Sequence, residues 1–152
     1  MTQPPHNLPA RVITDEVSAL LGENKRTGPW TPGSTTLVKA TLAEVTLDLR
    51  EAVLPDGEEL CFDVEVLLGY VTITVPPGWS VIQEVELFLG SYEEDEDPER
   101  GTAEQVVRIT GRIRLGGVIV HRRHRGENKR DAKRRRRALR KAAKNPALPP
   151  AD

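Results

Sequence analysis

The sequence predicts an all-β protein, a solenoid-like stack of about five rungs followed by a basic C-terminal segment. Three observations carry that reading. From Thr36 to Val120 apolar residues recur at every second position. The phase of that alternation switches at glycines. The switch points repeat at spacings of 21, 26, 21 and 26 residues, which is an internal repeat of 47. Alternation with β-branched residues marks half-buried strands. Repeats of this length cannot bury a face alone and must stack on their neighbours.

Residues 1–14 are proline-containing with little pattern and read as a flexible lead-in. The segment TGPWTPGST, residues 27–35, is turn material. Val45, Leu47 and Leu49 alternate, and so do Leu60, Phe62, Val64, Val66 and Leu68. Val71, Ile73 and Val75 continue the pattern one position out of phase, until Pro76–Pro77 stops it. Val85, Leu87 and Leu89 form another run, as do Val107, Ile109, Ile113 and Leu115 before Val118 and Val120. A one-residue slip exchanges the faces of a strand, so a straight strand would turn half of each apolar set to water. A bend at the switch point repairs this. Glycine suits such a corner because it takes special backbone angles and admits a neighbouring backbone. The corner residues are Gly22, Ala43, Gly69, Gly90 and Gly116, with Gly117 beside the last. A domain over residues 15–121 follows, with a tail over 122–152.

Charge is segregated along the chain. Residues 121–145 carry 13 Lys/Arg against two acids, whereas residues 1–120 carry 9 against 20. The basic residues are Arg122, Arg123, Arg125, Lys129, Arg130, Lys133, Arg134, Arg135, Arg136, Arg137, Arg140, Lys141 and Lys144. Asp131–Lys144 is rich in helix formers, but the run Lys133–Arg137 repels itself, so a partly helical or disordered tail is expected. Such a segment seeks anions, either nucleic-acid phosphates or an anionic membrane surface. The acidic run EEDEDPE, Glu93–Glu99, reads as a solvated loop between rungs. It lacks the spaced acids of a calcium loop, and any docking of the tail on it would be loose. His121 and His124 read as solvated side chains.

No nucleophile elbow, phosphate loop or paired-acid signature is present, so neither catalysis, a cofactor nor a small-molecule substrate is expected. The lone Cys61 cannot form an internal disulfide and reads as an inert strand thiol. The N-terminus MTQPPHNLPA lacks a basic segment followed by an apolar one. No window approaches the roughly 18 apolar residues of a membrane span. The expected location is the cytoplasm, with room for peripheral attachment at the inner membrane face.

Three segments together, VTLDLREA (Val45–Ala52), YVTITVPPGW (Tyr70–Trp79) and LGGVIV (Leu115–Val120), resemble the C-terminal domain of the LiaF-like family, the cell-wall-active-antibiotics-response proteins. The likeness spans roughly residues 17–121. It implies a right-handed, toast-rack-like β fold without a catalytic centre. It also implies a part in envelope-stress regulation, with a protein partner such as a two-component system component. The corner phenylalanines of that family are absent here, and Ala43–Glu44 and Ser91 replace several second glycines. Two other readings stand beside this one: a self-associating, bactofilin-like scaffold, and a nonspecific nucleic-acid-associated protein acting through the tail.

Overall fold

A computed structural model describes residues 15–54 and 59–144. The proline-containing lead-in, Pro55 and the helix stop at Asn145–Pro146 lie outside the described residues. Six strands and one helix follow in order: β1 (Asp15–Arg26), β2 (Thr35–Asp48), β3 (Leu60–Val75), β4 (Ser80–Phe88), β5 (Ser91–Glu94), β6 (Val106–Arg122) and α1 (Lys129–Lys144). The strands form one parallel sheet, ordered β1-β2-β3-β6-β4, with β5 pairing β6 beyond β4.

The alternation does switch where the sequence places the corners. In β3, Leu60, Phe62, Val64 and Val66 are buried before the corner, and Val71, Ile73 and Val75 after it. In β6 the same holds for Val107, Ile109 and Ile113 before the corner and for Val118 and Val120 after it. Both halves feed one hydrophobic cluster. The corners lie level across the sheet: Gly22 faces Ala43 and Gly69 faces Gly116. The pairs Phe88–Arg114 and Ser91–Gly117 bracket Gly90 opposite Gly116.

The residue that takes the unusual angle is not the glycine. Leu21, Leu42, Leu68, Leu89 and Leu115, each just before a corner residue, have φ of 51–57°. Gly69, Gly90 and Gly116 are not left-handed, while Gly22 has φ 144°. A left-handed leucine costs about 1–2 kcal/mol. Leaving Val71, Ile73 and Val75 on the wet face would cost about 5–9 kcal/mol at about 1.5–3 each, so the bend wins. The glycines serve close approach instead. A Cβ on Gly69 would collide with the carbonyl oxygen of Ala43, and one on Gly116 with that of Gly69. Gly111 (φ 115°), which the alternation did not single out, would clash with the Val64 backbone in the same way.

The strands are not laid side by side in chain order, and among the described residues the sheet does not close on itself. β6, last in sequence, sits between β3 and β4. The reason is apolar content. β6 buries side chains on both sides of its corner, whereas β4 buries only Val81 and carries Gln83, Glu84 and Glu86. Leu87 and Leu89, read as inward from the alternation, are 47% and 73% exposed. A polar, charged strand is tolerated at an edge. β1, which buries only Val17, forms the other edge.

Candidate functional site

Two surface features stand apart from the core. The first is a ridge along the corner row. Its left-handed leucines are exposed: Leu21 71%, Leu42 50%, Leu68 48%, Leu89 73% and Leu115 43%. Leu20, Leu67, Tyr70 and Phe88 flank them and are also exposed. The five leucines and Tyr70 together expose on the order of 600 Å², taking about 175 Å² for each whole side chain. The largest apolar patch on a typical monomer is about 300–600 Å². A shallow groove of about 990 Å³ runs along the row, lined by Leu42, Leu68, Tyr70, Leu89 and Leu115 with Glu44 and Ser91 at its side. All six corner residues named from the sequence, Gly22, Ala43, Gly69, Gly90, Gly116 and Gly117, lie at this row. The leucines that make the surface were missed. Their signal was the Leu before every corner residue.

The second feature is the basic segment, which is ordered and held against the acidic run. Asn128 caps α1: its side chain accepts from the Asp131 N–H at 2.8 Å. Ala132 is fully buried. Arg135 pairs with Glu127 (3.1 Å) and Glu99 (3.4 Å), Arg136 with Asp95 (3.5 Å), and Arg140 with Glu96 (2.5 Å). From the LDLREA segment, Arg50 donates to the carbonyls of Glu127 (2.8 Å) and His124 (3.2 Å) while its guanidinium grips Asp48. The expected loose docking is thus a network of several charges around a buried anchor.

Arg122 does not belong to the tail. It ends β6, is 1% exposed, and pairs with Asp97 (3.0 Å) and Glu94 (2.5 Å) while donating to the Trp79 carbonyl (2.8 Å). Asp97 is itself buried and accepts from the Gly78 and Glu99 N–H groups. The run Glu93–Glu99 is therefore not a solvated loop. It ties the VPPGW turn to the end of β6. His121 is not plainly solvated either, since its Nδ1 lies 3.2 Å from Asp95 and its side chain is 24% exposed. The alternation showed neither role, because the partners lie some 20 to 45 positions away in the chain.

The carboxylates respond to these contacts. Burial pushes Asp95 up, but the hydrogen bonds from His121 and the Arg122 N–H, with the nearby charges of His121 and Arg136, outweigh it and leave the carboxyl below its usual range. Glu127 behaves likewise: burial raises it, and Arg135 and the His124 N–H bring it below normal. Asp48 is lowered by Arg50 against the same opposing burial. Asp63, on the sheet, goes the other way, raised by burial and by Glu65.

The remaining basic residues divide cleanly. Arg123 is half-buried, and Arg125 lies 3.9 Å from Glu51. Lys129, Arg130, Lys133, Arg134, Arg137, Lys141 and Lys144 are exposed and form no ion pair with the described residues. Among the described residues no group of three or more His, Cys, Asp or Glu is placed to hold a metal ion, and Cys61 is buried in β3. No helix among them is long and apolar enough to cross a membrane.

No protein-family model matches the chain, and no curated protein or solved structure matches it either. What the fold and surfaces define is a parallel sheet of bent strands that presents an apolar ridge and carries a docked basic helix.

Proposed function

We propose that the protein is a non-catalytic interaction module that binds a protein partner through the leucine ridge. The observation that supports this most is the ridge itself: five strained, solvent-exposed leucines in one row. Backbone strain concentrates where function needs it, and a patch of this size is the mark of an interaction surface. A standard interface buries about 800 Å² per partner, of which somewhat over half is apolar, and the ridge is large enough to supply that apolar share. The toast-rack reading fits a bent sheet with level corners, and the LiaF-like resemblance suggests envelope-stress regulation as the setting. A two-component sensor or regulator is then the expected partner.

The double variant Leu68→Asn/Leu115→Asn tests this. Asparagine tolerates the left-handed angle, so the fold should survive while the ridge loses its apolar character. Tagged wild-type protein from cells under cell-wall antibiotic stress should recover a kinase, regulator or envelope component, and the double variant should lose it. Equal recovery by both proteins, or recovery of none of these, rules the reading out.

A second reading has an observation of its own. Among the described residues β1 and β4 have no strand partner on their outer sides, and open edges invite pairing with another copy. A bactofilin-like scaffold would then grow with concentration in light scattering. A stable monomer removes that reading.

A further inference from the structure

We infer that the outward face of α1 binds the phosphate backbone of duplex nucleic acid. This goes beyond the ridge and does not depend on it. At 100° per residue, Arg130, Lys133, Arg134, Arg137, Lys141 and Lys144 fall within an arc of about 100° on the helix. All six are exposed, and none pairs with a carboxylate among the described residues. The opposite arc holds Ala132, Arg135, Arg136 and Leu139, which face the body. Docking thus sorts a helix basic all round into a neutralised side and a free side. Asp131 lies off the free arc and is the one acid of the helix.

The free arc fits a duplex better than a membrane. It contains no apolar side chain, since Leu139 is turned inward, so nothing on it can enter lipid as an interfacial helix requires. Arg130 to Lys144 spans about 21 Å at 1.5 Å per residue. That length covers about six phosphates of one strand at 3.4 Å each. Arginine, half of the set, binds phosphate through two parallel hydrogen bonds. No stacking aromatic lies on the arc, so binding is to backbone rather than bases.

The test uses the full chain with two unrelated 20-base-pair duplexes, followed by fluorescence anisotropy between 50 and 200 mM salt. Six neutralised phosphates give a slope of log K against log salt of about −5, the same for both duplexes. The triple variant Arg134→Ala/Arg137→Ala/Lys141→Ala should reduce the slope to about −3 and weaken binding about tenfold or more near 100 mM salt. Its helical circular dichroism should persist, because alanine favours helix and none of the three forms an ion pair or side-chain hydrogen bond with the described residues. Leu68→Asn/Leu115→Asn should bind the duplexes like wild type, which separates this inference from the ridge reading. Absence of duplex binding at 50 mM salt overturns it, as does a triple variant with unchanged slope. Capture by phosphatidylserine vesicles while the duplexes stay free also overturns it.

Discussion

Replacing Gly69 with alanine tests the corner more sharply than any larger change. At an unconstrained strand position Gly→Ala is neutral or stabilises by about 0.4–1 kcal/mol, because it restricts the unfolded chain. Gly69 is not left-handed, so backbone strain does not enter. The added Cβ would overlap the Ala43 carbonyl oxygen and crowd its nitrogen at 3.2 Å and carbon at 3.3 Å. Those are backbone atoms of β2, a strand flanked by β1 on one side and β3 on the other, and cannot rotate away. Relief requires β2 and β3 to separate at the middle of the sheet. Overpacking of this kind costs about 1–3 kcal/mol, and weakening one or two ladder hydrogen bonds adds about 1 kcal/mol each. The expected loss is about 2–5 kcal/mol, or roughly 5–20 °C in Tm for a domain of this size. Gly22, at the β1 edge, has no atom within 4 Å of such a Cβ and serves as the control, where only the φ of 144° opposes alanine. Thermal melts followed by far-UV circular dichroism decide the matter. A Gly69→Ala protein melting within 2 °C of wild type, or no less stable than Gly22→Ala, would refute close approach as the reason for the glycine.

Two further outcomes follow from the acidic run. Asp97→Ala leaves the buried Arg122 with Glu94 as its remaining carboxylate, and urea unfolding should show a loss of about 3–5 kcal/mol; a loss under 1 kcal/mol would mean the pair contributes little. Acid should release α1 before the sheet melts. Asp95 and Glu127 have folded pKa values below their unfolded ones, so their contribution is present above about pH 4 and is lost as pH falls through the lower folded values. The raised Asp63 works in the opposite sense and favours the sheet in acid. Hydrogen exchange should therefore show α1 losing protection first below about pH 4. Equal loss across α1 and β3 would refute the order.

Much of the sheet was legible because its chemistry is local. Alternation located β2, β3 and β6, the change of phase located the bends at Gly69 and Gly116, and the repeated motif marked the other three corners. The owner of the left-handed angle was not legible. Glycine is the usual occupant, and only the neighbouring backbone reveals that Gly69 and Gly116 are needed for space while Leu68 and Leu115 bend. Sheet order was half-legible: β4 carries Gln83, Glu84 and Glu86 within nine residues, whereas β6 carries Val107, Ile109, Ile113, Val118 and Val120, which already argues edge against centre. The docked helix was the least legible part. The attraction of Arg136 for Asp95 and of Arg140 for Glu96 acts across more than 40 positions, and charge composition says nothing of which residues meet. Arg122 shows the difficulty best. It stands first in a run of arginines, yet it finishes a strand, and its burial follows from Glu94 and Asp97.

Each bend in this sheet draws on its own strand and the one alongside, and among the described residues no contact closes the sheet on itself. The number of slats is therefore not set by the geometry. A further bent strand could be laid beside β1, with a small residue level with Gly22, without disturbing those already in place. An outermost slat could equally be shed, since β1 gives the interior little beyond Val17. An architecture of this kind can lengthen or shorten its apolar crest one leucine at a time, and so adjust how much of a partner it covers.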